Sequence, residues 1–185
     1  MEGRQDNLNK HMSALTRTPQ NTNYLQPSKF VLSFDRIPTV QYFCQEVNLP
    51  GVSMGKATLN TPVLDVYTPG NKLSYNSLDI KFTIDESVQS WKEMYNWFLS
   101  MASQDTDERN RLSLQQSNRS YGKQAYSNAT LNILSALNNP IIRVHFFNVW
   151  PTDLSNIEFD TKGSADEIIT ATANFRFDYY NFETA

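Results

Sequence analysis

The chain is poor in the residues on which most protein chemistry depends. Its 185 residues hold one cysteine, Cys44, two histidines and six glycines. A lone cysteine excludes an internal disulfide and lends no support to oxidising export. There is no CxxC, HxH or HExxH spacing to gather zinc ligands. With so little glycine there is no Gly-rich loop to cradle phosphate. The acidic cluster of Asp105, Asp107 and Glu108 lacks the glycine that turns a calcium loop, and it reads as a solvated loop. No run approaches the roughly 18 to 20 apolar residues of a membrane-spanning helix. Met1 to Ala14 is polar, without the apolar core of a signal peptide. A basic excess is missing too: 16 Lys and Arg stand against 19 Asp and Glu, a net charge of -3. A protein that grips nucleic acid needs a basic face to release counterions; one past which nucleic acid slides does not.

Catalytic candidates are correspondingly few. His11 lies in a polar stretch, and His145 alternates with Arg143 opposite Ile142, Val144 and Phe146, as a surface or interface residue would. Nothing in the spacing of His145 and Cys44 supports a nucleophile and base, and Cys44 reads as a small core or near-core side chain. The carboxylate pairs Asp85-Glu86 and Asp166-Glu167 are accounted for by a helix start and a turn. The sequence therefore points to a non-enzymatic protein with no cofactor and no metal.

What the chain has in quantity is aromatic residues in patterned runs: 11 Phe, 9 Tyr and 3 Trp. Residues 1–26 are rich in Asn, Gln, Thr and Arg without a period and read as an extended or disordered arm. The body spans 27–180. Phe30, Leu32 and Phe34 alternate with polar residues as a strand with one buried side. Val40 to Val47 reads as a second strand, joined to the first through Ile37-Pro38-Thr39 as a hairpin. Thr68-Pro69-Gly70-Asn71 is a strong turn signal, so residues 60–76 read as a long projecting hairpin. Leu78, Ile80, Phe82 and Ile84 form the cleanest alternation in the chain.

From Asp85 to Met101 the period changes. Val88, Trp91, Tyr95, Phe98 and Met101, widened by Met94 and Trp97, mark a helix laid on a sheet, with Asp85 or Ser87 as N-cap and Glu86 in the first turn. Residues 103–128 are polar and read as a surface insertion, with room for a short helix over Thr106 to Gln116. Strand patterns resume at Ala129 to Leu134 and Ile141 to Phe147, with a short strand at Ile157 to Asp160. A long strand follows over Glu167 to Tyr179, and 181–185 forms a C-terminal tail. The fold class is mainly β with one packed helix (α+β), an antiparallel sandwich or barrel.

Three segments in this order resemble the tail tube protein family of contractile-tailed bacteriophages. They are KFVLSFDRIPTVQYFCQEVNLPG, LDIKFTIDESVQSWKEMYNWF, and the FFNVWPTDLSNIEFD run with Trp150-Pro151-Thr152 leading into ITATANFRFDYY. The family includes tube-like baseplate paralogues. The resemblance implies homohexameric rings that stack, and a lumen that passes DNA and tape-measure protein without specific binding. It further implies contacts with tail sheath and baseplate proteins, a place in the virion tail, and assembly in the host bacterial cytoplasm. No membrane is involved. The projecting hairpin looks like the family's loop that reaches an adjacent ring, which makes Val63, Leu64, Val66, Tyr67, Pro69 and Leu73 the candidate contact residues. A repeating tube subunit is the expected role. A baseplate ring that initiates the tube, and more remotely a monomeric carbohydrate-binding sandwich, are the alternatives.

Overall fold

The computed structural model describes residues 22–102, 126–161 and 168–184. Within them the strands are β1 (Phe30–Phe34), β2 (Cys44–Val47), β3 (Val52–Asn60), β4 (Asp65–Tyr75), β5 (Leu78–Thr83), β6 (Ser127–Leu134), β7 (Pro140–Leu154), β8 (Thr170–Arg176) and β9 (Tyr179–Thr184). Two helices accompany them, α1 (Pro38–Phe43) and α2 (Gln89–Ala102). The expected 1–26 arm, the 103–128 insertion with its short helix, and the acidic cluster at 105–108 lie wholly or mostly outside the described residues. Ser127 and Asn128 belong to β6 rather than to the insertion.

All strand pairing is antiparallel. The main sheet runs β1-β6-β7-β8-β5-β2, with β9 also on β7, while β3 and β4 form a separate two-stranded ribbon. The long strand β7 is what folds this sheet over. Its first part pairs with β6 and β9, its last residues with β8. Asn148, at the change-over, has a φ of 55°, a left-handed conformation that Asn tolerates better than most residues. The bend is stitched by Asn148 Nδ2 donating to Asp178 Oδ2 at 2.5 Å and by Asp178 N donating to Phe147 O at 3.1 Å.

The core is the product of the alternation. Leu32 and Phe34 on β1, Leu78, Ile80 and Phe82 on β5, Val144 and Phe146 on β7, and Ala171, Ala173 and Phe175 on β8 are all buried. Phe34 and Phe175 meet across the fold at 5.3 Å between ring centroids. Helix α2 closes the core with Met94 and Trp97, each fully buried.

Several sequence expectations need correction. Val40 to Val47 is not a strand throughout. Pro38 opens α1 at its first position, where a missing N–H costs nothing, and only Cys44 onward is extended. Glu93 of α2 caps that helix, its carboxylate accepting from Thr39 N at 3.1 Å and Thr39 Oγ1 at 2.6 Å. Helix α2 starts later than Asp85. The Asp85 carboxylate instead reaches forward, accepting from Gln89 N at 3.0 Å and Ser90 N at 2.8 Å, and Glu86 stays outside the helix.

The buried stripe of α2 is centred on Ser90, Met94 and Trp97, so Tyr95 turns outward at 46% exposure and stacks on Trp91. Ile157 to Asp160 is not a strand. The last strand is broken at Phe177-Asp178 into β8 and β9, and Asn181 to Thr184 are part of the sheet on β7, not a tail.

Candidate assembly surface

The ribbon of β3 and β4 is longer than the 60–76 hairpin read from sequence, and its tip lies elsewhere. Strand pairing begins at Val52 with Tyr75 and continues to Asn60 with Asp65, placing the turn at Thr61 to Leu64. There the Thr61 hydroxyl bridges the turn, donating to Leu64 O and accepting from Leu64 N at 3.1 Å. The Thr68-Pro69-Gly70-Asn71 signal is realised as a wide bulge in β4. Met54 pairs with Leu73 and Lys56 with Pro69, so that Gly55 alone faces Gly70, Asn71 and Lys72. A turn-type sequence thus disturbs a ladder instead of ending one.

Among the described residues the ribbon is rooted in the body at its base. Tyr75 packs its ring 5.5 Å from Phe177 and 5.3 Å from Tyr180. Arg176 Nη1 donates to Tyr75 O at 3.1 Å, Tyr180 Oη to Pro50 O at 3.2 Å, and Asn76 N to Gly51 O at 3.0 Å. Every residue of β3 is exposed, and so is most of β4.

Directly paired residues share a face of the ribbon. Leu59 beside Val66 and Ala57 beside Thr68 make one face apolar. Thr58 beside Tyr67 and Asn60 beside Asp65 make the other polar, where Lys56 Nζ sits 4.5 Å from the Tyr67 ring centroid. The six residues singled out from sequence are therefore not on one surface. Val63, 94% exposed, and Leu64 occupy the tip; Val66 lies on the apolar face and Tyr67 on the opposite one. Pro69 borders the bulge, and Leu73 lies at the root beside Met54. Sequence reasoning missed Leu59 and Ala57 on β3, whose alternation over Ala57 to Asn60 spans too few residues to stand out.

The main sheet carries further free pairing groups. Among the described residues β1 pairs only with β6, β2 only with β5 and β9 only with β7. Such open edges invite another chain. On β9, Phe182 faces the core side beside Val144 yet is 58% exposed.

His145, Cys44 and Arg36 are engaged structurally. His145 sits between strands, Nδ1 3.1 Å from Thr130 Oγ1 and Nε2 2.9 Å from Glu183 Oε2. Cys44 packs against the core, and burial pushes its thiol up to about 11, well away from a nucleophilic thiolate at neutral pH. Burial pulls Arg36 down to about 10; its guanidinium lies 5.2 Å from the Trp97 ring centroid and donates to Ser100 Oγ at 2.8 Å. Among the described residues no group of three His, Cys, Asp or Glu could hold a metal ion. His11 and the Asp166-Glu167 pair lie outside the described residues.

A sequence model described as phage tail tube protein matches residues 11–183. The chain belongs to the phage tail tube protein family. Over 175 residues it is 27% identical to the tail tube terminator protein of Enterobacteria phage T4, covering 87% of this chain and 90% of that one. Among solved structures it resembles the tube terminating cap of the anti-feeding prophage, with a TM-score of 0.60 and 12% identity over 94% of this chain and 100% of that one. It also resembles a chain of the anti-feeding prophage baseplate, with a TM-score of 0.57 and 13% identity over 89% and 98% of the two chains. A third likeness, to a chain from the sheath/tube terminator of an extracellular contractile injection system, has a TM-score of 0.54 at 14% identity, over 89% and 100%. At such identities these likenesses show the fold: the bent antiparallel sheet with its packed helix is of the tail-tube type.

Proposed function

We propose that this chain is a structural subunit of a ring that closes a contractile tail tube at one end. The observation that carries the reading is the relationship to a tail tube terminator along 90% of that protein's length, which covers the whole domain rather than a shared motif. It is preferred over the repeating tube subunit for that reason.

The surface supports assembly. Among the described residues β1, β2 and β9 each pair on one side only, so copies set side by side satisfy one another's strand groups, and a closed ring leaves no edge free. The ribbon lays an apolar face and tip beyond the body, where a neighbouring ring or a second copy in the same ring covers Leu59, Val63, Leu64 and Val66. The ring is hexameric, in register with the tube it caps. Its lumen passes DNA without binding it, consistent with a net charge of -3. Sheath proteins pack outside, and the protein's place is the virion tail after assembly in the host cytoplasm.

The test is tube growth in vitro. Purified chain added to polymerising cognate tube subunits stops elongation, and mean tube length falls as its concentration rises. Incorporation along the whole tube, with length unchanged, would overturn the terminator reading in favour of the repeating subunit.

A further inference from the structure

We propose that the crossing of Gly55 and Gly70 is an elbow about which the outer part of the ribbon swings as a unit. The ribbon is built in three mechanically different parts. Its root, Val52 to Met54 paired with Leu73 to Tyr75, is tied to the body through Tyr75, Arg176 and Tyr180. Its outer arm, Lys56 to Pro69, holds itself together. The ladder runs unbroken from Lys56 with Pro69 to Asn60 with Asp65, Thr68 Oγ1 donates to Ala57 O at 3.3 Å, the Lys56 ammonium sits on the Tyr67 ring, and Thr61 locks the turn.

Between root and arm lies the bulge. There the ladder is interrupted, Pro69 has no N–H to offer, and a glycine stands on each strand. The two backbones approach so closely that a Cβ on Gly70 would lie 2.5 Å from Gly55 O, whereas a Cβ on Gly55 would meet nothing within 4 Å.

A two-stranded ribbon on which no other described element packs is marginal wherever its ladder is broken. Glycine also has the widest backbone freedom of any residue. The weak point of this ribbon is therefore one place, with stiffer structure on both sides. Motion there re-aims the apolar face of Ala57, Leu59 and Val66 without disturbing the body. The elbow is a property of the single chain. Only its use, fitting the arm to a second copy, rests on the ring reading above.

Distance distributions between nitroxide labels test it, in the full chain with Cys44→Ala and diluted with unlabelled protein. One label replaces Tyr42 on α1, which is 83% exposed; the second replaces either Ser53 at the root or Val63 at the tip. The root pair gives a narrow distribution, and the tip pair one on the order of twofold wider, as a break in an unsupported ribbon implies. Gly70→Ala, whose Cβ lands on the Gly55 carbonyl, shifts the tip distance and leaves the root distance in place. Gly55→Ala, which enters open space, keeps the tip distance centred where it was.

A tip as narrow as the root would overturn the elbow, and so would a root as broad as the tip, since the motion would then start at the body. Should Gly70→Ala prove insoluble, the unsubstituted pairs decide alone. A subunit with a working elbow that fails to cap tubes would leave the elbow standing and sink the terminator reading.

Discussion

The indole of Trp97 on α2 lies 5.8 Å, centroid to centroid, from the ring of Phe175 on β8, both side chains fully buried. This contact joins the helix to the middle of the sheet. Truncating Trp97 to Ala removes the largest buried side chain from the point where the layers meet. The expected loss is about 3–5 kcal/mol, the usual range for a buried aromatic truncated to alanine. Tyr95→Ala, one face away and outward, loses its stack on Trp91 and costs about 0.5–1.5 kcal/mol. Urea denaturation of the two variants checks the pair; equal losses would refute the orientation of α2.

Asp85 makes helix α2 sensitive to acid. The Ser87 hydroxyl first, then the backbone N–H groups of Ser90 and Gln89 with the Ser90 hydroxyl, hold its carboxyl well below the usual carboxylate range. A depressed folded value means that the unfolded chain takes up protons first. The contribution is fully present above the unfolded carboxyl value of about 3.9 and is lost as pH falls below it towards the folded value. Asp85→Asn therefore lowers the melting temperature at pH 7, and the gap to the parent protein closes as pH falls from 5 towards 2. A gap that stays constant with pH would contradict the capping role.

Glu93 is a second cap, and its effect should be local. Glu93→Ala strips two acceptors from Thr39 and destabilises by about 0.5–2 kcal/mol, as loss of a helix cap does. Hydrogen exchange should quicken first at α1 and at β2 behind it. Uniform quickening across the sheet would show that the contact has no special bearing on α1.

How much of this was legible in the sequence depended on whether the deciding interaction was local. The alternation of β1, β5 and β8 is set by the core each element faces and was readable; so was the presence of helix α2, but its buried stripe is centred on Met94 and Trp97, one face away from Tyr95. Helix α1 was not: Val40, Tyr42 and Cys44 alternate like a strand, and the helix is decided by Pro38 at its start and by Glu93, which lies far along the chain. The Pro69-Gly70 pair carries a turn signal, yet Gly55 on the opposite strand turns it into a bulge and moves the tip to Thr61–Leu64. The break at Phe177-Asp178 is set by Asn148 across the ladder. As for the candidate contact residues, the segment was legible but the faces were not, because strand register assigns Val66 and Tyr67 to opposite sides.

Replacing Lys56–Pro69 by a short turn removes the outer arm and leaves Tyr75, Arg176 and Tyr180 in place. The shortened subunit should melt within a few degrees of the parent, since the arm adds nothing to the core, and the change should be confined to assembly, read by electron microscopy and light scattering. Rings or capped tubes forming as before would show that the arm is not a contact.

The terminator reading is tested most directly by counting copies of this chain in intact tails, by quantitative mass spectrometry against the tube subunit. One ring's worth per tail is expected, unchanged between tails of different length. Copies rising in proportion to tail length would contradict it and make the chain a repeating subunit of the tube.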